Sequence, residues 1–472
     1  MSKAPSRSSD RNHPAHAHSA PPPVDARDAA YRVLSAHART FPDLLPVEPE
    51  THQLDPRDRA LCHAIIRESV TRWITLRHIV SHLAGRGFET IEPRMQAVLV
   101  GGAAQLLLLD RLPPHAVINE SVEWAKTYIR PKAGGMTNAI LRKVARAKGT
   151  FADSSGNVAT DSSTQIPLSD GRWLSLHEVP LPTDEISNFS VLYSIPKATI
   201  KRWKSLYPDR FSDLIAHTIV SPPTVLYSAD WQSVKDTDSV EEHTSSHHRV
   251  YSGPRAKLAS YLDEHPQVCV QDSASSVVVQ SIPDGNYQTI IDYCAGQGTK
   301  TRQLAERFPD AQIIAMEIDS RRLDTLMDVF DGSRNVIVRG TDELDHCCPS
   351  GADLILTDVP CTNSGVLARR MEARYRPMTA QTQRLTQIQR EILETVVPKL
   401  RKNGVLVYST CSIEQEENQD QRDWIKQDPE FEYLSDHQIL PAGLPGQDTT
   451  VYSDASYACI FRRNADMRFA DS

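Results

Sequence analysis

The sequence predicts a multi-domain protein with an all-α N-terminal domain, a small α+β subdomain and a C-terminal α/β domain built on a mostly parallel sheet. Three observations lead to this fold class. Apolar residues recur at helical spacing throughout residues 25–148. Helical and strand patterns are mixed over residues 186–270. Beyond Val270 short β-branched runs alternate with helical segments, which is typical of a doubly wound sheet.

The composition excludes several classes of protein. A hydrophobic fraction of 40% and a charged fraction of 24% are typical of a soluble globular chain, and no run of apolar residues is long enough to span a membrane. The N-terminus lacks a secretory pattern, and the eight cysteines show no paired metal-type spacing. We therefore expect a cytoplasmic protein without a membrane segment or a bound metal. The net charge of −8 argues against a uniformly basic coat but not against a local basic surface.

The first residues of the chain predict no packed structure. Residues 1–24 are rich in Ser, Pro, Ala and His, so burial cannot offset the entropy of ordering them, and we predict a disordered tail. His13, His16 and His18 lie in this tail. Without a cysteine or carboxylate at ligand spacing, metal binding by these histidines is the weaker interpretation.

Residues 25–148 form the predicted helical domain and are the basic part of an acidic chain. By count they contain 18 Lys or Arg against 13 Asp or Glu, which makes them a candidate surface for RNA phosphates. A solvated helical surface would explain the charge about equally well. Two stretches favour RNA binding over a merely solvated surface. They are Arg111–Lys126 and Met136–Lys143, which closely resemble the end of the NusB-like RNA-binding helical domain.

The middle of the chain carries no visible chemistry. Residues 149–185 are rich in Ser, Asp, Thr and Pro and are predicted to be a linker or an insertion. In residues 186–270 the patterns predict helices at 200–206 and 211–217 and a strand at 224–228. A small α+β subdomain fits this mixture best.

Residues 271–472 form the predicted α/β domain. Strands are predicted at 289–293, 312–316, 335–338, 352–357 and 404–409, and helices at 300–308, 319–330, 379–399 and 415–427. Ligands of such a sheet bind at the carboxyl ends of its strands. Polar residues follow all five predicted strands, in the groups Asp292–Lys300, Glu317, Asp342, Asp358–Cys361 and Ser409–Ser412.

The loop after the first of these strands has the composition of a nucleotide site. Gly296 and Gly298 let a ligand approach the backbone, and the helix that begins at Lys300 offers free N–H groups. An ordinary βα turn shares this pattern. Glu317 stands where an acid binds two ribose hydroxyls, although a solvated strand end is an equal alternative. The loop lacks the full Gly-x-Gly-x-x-Gly spacing of an NAD site, which favours S-adenosylmethionine, a cofactor without a pyrophosphate.

Two cysteines, Cys361 and Cys411, fall at the ends of adjacent predicted strands and should face one pocket. A redox pair is an alternative, but neither cysteine belongs to a Cys-x-x-Cys motif. For a lone cysteine a buried small hydrophobe is the usual explanation. We keep that explanation for three others: Cys62, Cys269 and Cys459.

Three motifs carry a resemblance to a known family. They are Asp292–Thr301 (DYCAGQGTKT), Asp358–Arg370 (DVPCTNSGVLARR) and Tyr408–Asn418 (YSTCSIEQEEN). They resemble motifs of the Sun-type RNA (cytosine-5)-methyltransferases. The resemblance implies a Rossmann-like, S-adenosylmethionine-dependent domain, preceded at 186–270 by the small subdomain of that family. This chain has Gly-Gln-Gly-Thr at 296–299 where the family usually has Ala-Pro-Gly-Gly, and Glu317 where it has Asp.

The resemblance also implies the site residues. The cofactor is expected to contact Cys294, Ala295, Gly296, Gln297, Gly298, Thr299, Lys300, Glu317, Asp342 and Asp358. Asp342 is offset within its segment and is assigned to the adenine side. Catalysis is expected from Cys411, Cys361 and Asp358: Cys411 adds to C6 of a cytosine, Asp358 binds the N3 and amine edge, and Cys361 assists proton removal or breakdown of the adduct.

The expected partner is RNA, namely small-subunit ribosomal RNA bound by a monomer. The target base must leave its stack to reach the site. Four arginines, with a tyrosine among them, are candidates for phosphate contacts and stacking, and a solvated basic loop is the alternative; they are Arg369, Arg370, Arg374, Tyr375 and Arg376. Two other functions remain open. One is a DNA cytosine-5 methyltransferase with Cys361 as nucleophile, and the other is a noncatalytic NusB-like RNA-binding factor.

Overall fold

The structure is a computed structural model that describes residues 22–153, 164–235 and 238–464. Nearly all of the predicted tail, including His13, His16 and His18, lies outside the described residues. The middle of the predicted linker lies outside them as well.

The helices of the described residues are α1 (Ala26–Thr40), α2 (Pro56–Thr71), α3 (Trp73–Ala84), α4 (Pro93–Leu108), α5 (Pro114–Tyr128), α6 (Ala133–Ala147), α7 (Glu185–Tyr193), α8 (Lys197–Leu206), α9 (Phe211–His217), α10 (Leu258–Glu264), α11 (Ser273–Gln280), α12 (Thr299–Arg307), α13 (Ser320–Val329), α14 (Leu344–Cys347), α15 (Met378–Val396) and α16 (Gln419–Ile425). The strands are β1 (Lys148–Asp153), β2 (Gln165–Pro167), β3 (Arg172–Leu176), β4 (Val225–Tyr227), β5 (Val240–Glu242), β6 (His248–Tyr251), β7 (Cys269–Val270), β8 (Thr289–Asp292), β9 (Gln312–Glu317), β10 (Val336–Gly340), β11 (Ala352–Asp358), β12 (Leu400–Thr410), β13 (Phe431–Ile439) and β14 (Ser456–Arg463). Within the described ranges, no helix is both long and apolar enough to cross a membrane.

Helices α1 to α6 confirm the all-α prediction for the N-terminal domain. Asp25 and Asp55 cap α1 and α2 by accepting hydrogen bonds from backbone N–H groups of the first turn, which otherwise lack a partner within the helix. Helix α4 lies in the centre and packs closely against its neighbours. A Cβ at Gly101 would lie 2.6 Å from the Tyr31 ring, and one at Gly102 would lie 2.7 Å from Leu141. The glycines therefore set how near α1 and α6 approach α4.

The segment predicted as a linker contains a three-stranded antiparallel sheet in the order β1-β3-β2. Its Ile166, Trp173 and Leu174 are buried, and they share one hydrophobic core with α1 to α9. The following strands form a separate four-stranded sheet in the order β5-β6-β4-β7, with its own small core. The division of the chain at 148, 185 and 270 stays a prediction, but the first core runs across two of these boundaries.

The C-terminal domain is built on a seven-stranded sheet in the order β10-β9-β8-β11-β12-β14-β13. Its first five strands are parallel, which confirms the predicted α/β fold with a mostly parallel sheet. Strands β13 and β14, which run antiparallel to their neighbours, were missed by the sequence prediction. Two hydrophobic cores cover the two faces of this sheet. The ends of β8 to β12 form one edge, and the candidate site lies there.

Candidate active site

The loop between β8 and α12 is shaped by two glycines in the left-handed region. Gly298 has φ of 84°, and a Cβ there would lie 2.5 Å from the Phe330 ring, so the position requires glycine. Gly296 has φ of 59°, and a Cβ there would meet nothing within 4 Å. The backbone at Gly296 is therefore open to a ligand. Gln297 is exposed at the tip of the loop, and Ala295 is fixed by a hydrogen bond from its N–H to Met316 O, 2.9 Å away.

Asp292 brings a buried carboxylate with an unpaired acceptor to the base of this loop. Its Oδ2 accepts a hydrogen bond from Thr301 Oγ1 at 2.6 Å, whereas its buried Oδ1 has no partner among the described residues. Burial raises the pKa of Asp292 to about 7. The predicted site began at Cys294 and omitted Asp292, although this acid at the end of the first strand was visible in the sequence.

Glu317 is nearly buried and holds the loop to the end of β9. Its Oε2 accepts a hydrogen bond from the Gly296 N–H, and its Oε1 accepts from the N–H groups of Ile318 and Asp319, all at 2.9 Å. The Ile318 side chain beside it is 85% exposed. Asp342 is also exposed, on the turn after β10. Asp342, Glu317 and the loop thus follow neighbouring strands of one sheet edge.

These groups fit S-adenosylmethionine. The cofactor carries a cationic sulfonium, an amino group and two ribose hydroxyls, and the edge offers carboxylates from Asp292, Glu317, Asp342 and Asp358. The unpaired Oδ1 of Asp292 and the open side of Gly296 would offer a bound cofactor a polar partner and an approach to the backbone. Among the described residues, no group of three His, Cys, Asp or Glu stands close enough to hold a metal ion.

Asp358, at the end of β11, is held by partners from two directions. Its Oδ2 accepts from Lys300 Nζ at 2.6 Å, and its Oδ1 accepts from Ser409 Oγ at 2.8 Å. Burial alone would lower the pKa of Lys300, but the nearby Asp358 carboxylate outweighs burial and raises it. Lys300 therefore remains a cation that orients the Asp358 carboxylate.

The two cysteines meet at the same edge. Cys361 Sγ and Cys411 Sγ lie 3.2 Å apart, and Cys411 Sγ lies 3.4 Å from Asn363 Oδ1. Cys361 is buried, whereas Cys411 is partly exposed. The hydrogen bond to Cys411, together with burial, raises the pKa of the Cys361 thiol well above its usual range. At neutral pH Cys361 is therefore a thiol, able to donate to the sulfur of Cys411.

A buried polar network holds the residues that flank both cysteines. Glu417 is fully buried and accepts hydrogen bonds from Thr362 N at 2.9 Å and from Gln389 Nε2 at 3.2 Å. Asn418 accepts from Thr410 Oγ1 and donates to Ser412 O, on the two sides of Cys411. Both Glu417 and Asn418 belong to the third sequence motif, where neither had an assigned role. Their positions, six and seven residues after the candidate nucleophile, were the only sign in the sequence that they support the site.

The prediction that Arg374 and Tyr375 offer a phosphate contact and a stacking face is wrong. Both side chains are buried, and both bond to the helical part of the chain. Arg376 donates to Leu44 O, and Arg369 pairs with Asp272 and Asp454. Arg370, with 55% of its side chain exposed, is the arginine of this group that best fits a phosphate contact. Side-chain direction in an irregular segment leaves no periodic signal in a sequence.

Comparison with known proteins identifies two regions of the chain. Residues 280–443 match the family model described as 16S rRNA methyltransferase RsmB/F, and residues 24–146 match that of the NusB family. Residues 280–443 are therefore a methyltransferase domain of the RsmB/F type, and a NusB-family domain precedes them. The protein is an S-adenosylmethionine-dependent RNA methyltransferase.

Relatives of this methyltransferase are similar over most of its length. Ribosomal RNA small subunit methyltransferase B of Escherichia fergusonii is 25% identical over 396 residues, which cover 80% of this chain and 84% of that protein. The protein of the same name from Salmonella paratyphi A is 26% identical over 399 residues, with 81% and 85% covered. A crystal structure of the protein PH0851 superposes with a TM-score of 0.69 at 19% identity, covering 94% of this chain and 99% of that one, and it confirms the fold.

Proposed function

We propose that this protein transfers a methyl group to C5 of a cytosine in 16S ribosomal RNA through a covalent cysteine adduct. The observation that carries the proposal is the pair of sulfur atoms 3.2 Å apart, near Asp358. They lie at the sheet edge that also bears the loop between β8 and α12, which we call the cofactor loop. The choice of 16S RNA is supported by the description of the matching family and by the names of the relatives. We further propose a monomer that acts in the cytoplasm.

Cys411 is the nucleophile in this proposal. The C5 carbon of cytosine is too weakly nucleophilic to take a methyl group unless a thiolate first adds at C6. Cys411 is the more exposed of the two residues. Because the raised pKa keeps Cys361 protonated, Cys361 donates a hydrogen bond within the pair and Cys411 supplies the attacking sulfur. Addition at C6 leaves enamine-like electron density on C5.

Asp358 binds the edge of the cytosine ring. Its carboxylate, oriented by Lys300 and Ser409, accepts from the exocyclic amine and from N3, which takes up the proton that Cys411 loses when its sulfur adds at C6. S-adenosylmethionine, when bound, supplies the methyl group for C5 from its sulfonium. Asp292, Glu317 and the open backbone at Gly296 would hold it.

Cys361 assists the last step. The proton on C5 is lost to water, the C6–S bond breaks with its electron pair leaving on Cys411, and that sulfur takes back the proton from N3 as the ring regains its aromaticity. The Cys361 thiol, 3.2 Å from Cys411, donates a hydrogen bond to the departing sulfur and so makes it a better leaving group. Glu417 and Thr362 fix Cys361 in place during this step.

The two cysteines should fail differently when replaced. Cys411→Ala removes the nucleophile, so methylation and adduct formation should both stop. Cys361→Ala permits addition and transfer but impairs release, so protein should accumulate joined to RNA, visible as a slower, nuclease-sensitive band on a denaturing gel. Cys347→Ser, at the last residue of α14 and outside the site, is the matched control and should behave as the native protein.

Other outcomes of the cysteine experiment would contradict the proposal. Adduct trapped in Cys411→Ala and absent from Cys361→Ala would move the nucleophile to Cys361, as in DNA cytosine-5 methyltransferases. Activity retained in both variants would remove the cysteines from the reaction. The substrate is tested separately by bisulfite mapping of 16S RNA from cells with and without the protein. An unchanged methylation map would refute 16S RNA as the substrate.

A further inference from the structure

The segment that leaves the active site at Cys361 reaches into the helical part of the molecule. After Cys361 the chain passes through two short turns, 364–366 and 371–375, before α15 begins. Leu367, Ala373 and Tyr375 are buried in the same hydrophobic core as α1 to α9. We call residues 374–376 the Arg-Tyr-Arg segment.

Arg374 joins the ends of three helices. Its fully buried guanidinium donates to the carbonyl of Thr71 at 2.8 Å, to that of Tyr193 at 3.2 Å and to that of Thr218. These residues lie at the carboxyl ends of α2, α7 and α9, where backbone carbonyls have no partner within the helix and the dipole is negative. One cation from the catalytic domain therefore caps a helix of the NusB-family domain and two helices of the middle region.

Tyr375 supplies the N-terminal cap that α3 lacks. The residue before α3 is Arg72, whose side chain makes no capping hydrogen bond within the described part of the chain. Instead, Trp73 N donates to Tyr375 Oη at 3.1 Å and Ile74 N donates to Ser194 Oγ at 2.8 Å. Tyr375 Oη in turn donates to Val70 O at 2.6 Å. Its ring also packs against Phe41, with ring centroids 5.2 Å apart.

The path from these contacts back to the cysteines is short and well fixed. Arg369 is tied to Asp272 and Asp454, and Gly365 N donates to Cys411 O at 3.2 Å. Gly365 is packed so tightly that a Cβ there would lie 2.6 Å from the same Cys411 oxygen. Because the intervening residues are tightly packed, a shift of the Arg-Tyr-Arg segment should displace Cys361 relative to Cys411.

We propose that Arg374 and Tyr375 are positioning residues for methyl transfer, through which the NusB-family domain holds the Cys361 segment against Cys411. The helical domain then acts on the rate of the chemical step, in addition to any contact with RNA. The kinetic part of this inference rests on the proposed function. Its geometric part, that these contacts fix the distance between the two sulfur atoms, does not.

The kinetic test uses Tyr375→Phe, which removes one hydroxyl and keeps the ring, and Arg374→Lys, which keeps the charge but cannot reach three carbonyls. We expect kcat to fall about tenfold or more, because small misplacements of reacting groups are costly. The KM for RNA and the affinity for S-adenosylmethionine should stay unchanged. Arg370→Gln, an exposed neighbour on the same segment, is the matched comparison and should raise KM with little effect on kcat.

The geometric test needs no RNA. Diamide oxidises two neighbouring thiols to one S–S bond and takes up both hydrogens as it becomes a hydrazine. Mass spectrometry of the full-length protein should show fast pairing of Cys361 with Cys411 in the native protein and at least several-fold slower pairing in folded Tyr375→Phe. If RNA methylation itself fails, this readout still tests the positioning. A native pairing rate with native kcat in both variants, or a change in KM alone, would overturn the inference.

Discussion

Glu317 binds three backbone N–H groups, so its carboxylate holds the loop between β8 and α12 in addition to its proposed contact with the cofactor. One of these groups comes from Gly296 and two come from the turn after β9. A carboxylate accepts more than one hydrogen bond at each oxygen, so these contacts leave room for a ribose hydroxyl. The residue that the sequence assigns to cofactor binding therefore also shapes the site.

Replacing Glu317 with Ala should weaken S-adenosylmethionine binding by roughly 1.5–3 kcal/mol, the range for a hydrogen bond to a charged group. The three N–H groups also lose their acceptor, so the loop should become less ordered. Glu317→Asp keeps the charge and is the matched control, expected to bind more tightly than the Ala variant. Titration calorimetry measures all three proteins. An Ala variant with native affinity would remove Glu317 from the site.

Glu417 should make stability depend on pH in a definite direction. Burial raises its pKa to about 7 from an ordinary value of 4.5. Because the folded state disfavours the ionised form, the native protein loses this contribution as pH rises from about 4.5 through about 7. A shift of this size corresponds to about 3 kcal/mol, at about 1.4 kcal/mol per unit. Glu417→Gln has no such titration.

As pH rises from 4.5 to 7, the free energy of unfolding of the native protein should therefore fall relative to that of Glu417→Gln. Urea denaturation at a series of pH values measures it. Glu416→Gln is a suitable control, since Glu416 is partly exposed with 42% of its side chain accessible. A difference that stays constant with pH would show that Glu417 keeps an ordinary pKa in the folded protein.

At the scale of elements, the parallel strands were the most predictable part of the fold. Runs of β-branched residues end at polar groups, and adjacency of β11 and β12 is enough to bring Cys361 near Cys411. Strand β13 was missed because most of its residues are only partly buried, so no clear alternation marks it. The partners of Arg374 could not be predicted either, since they lie between 156 and 303 positions away in the chain.

The cofactor loop allows a prediction that separates its two glycines. Both have positive φ, so alanine at either position should cost about 1–2 kcal/mol of stability. At Gly298 the new Cβ would also overlap the Phe330 ring, which should add about 1–3 kcal/mol. At Gly296 it would project into open space where a ligand approaches, so that variant should lose cofactor affinity with the smaller loss of stability.

Urea denaturation and calorimetry on Gly296→Ala and Gly298→Ala measure both quantities. Gly332→Ala is the matched control, because Gly332 also has positive φ and open space around it but lies away from the loop. It should lose stability like Gly296→Ala and keep native affinity. Equal stability in the two loop variants would show that Phe330 moves aside without cost.

At the scale of the whole molecule, the helical domain is continuous with the middle region and the catalytic domain. One hydrophobic core contains residues of α1 to α9 together with Tyr375, Ile413 and Ala455 of the catalytic domain. Strand β1, which directly follows α6, pairs with β3. A separate helical domain would fold on its own, and residues 25–148 could then be deleted without loss of cofactor binding. The shared core and the Arg-Tyr-Arg segment argue against that expectation.

If the chain is cut between residues 158 and 159, the two fragments should therefore stay associated without a covalent link. A protease site inserted there would leave β1 on one fragment and β3 on the other, with Arg374 and Tyr375 bridging them. We expect the fragments to elute together in size-exclusion chromatography and to retain methylation. Tyr375→Phe combined with Arg374→Met should weaken the association, and the uncut double variant controls for misfolding. If the native fragments instead separate without denaturant, and the first one unfolds as an independent cooperative unit, then the NusB-family domain is a tethered module and the shared core contributes little to holding the molecule together.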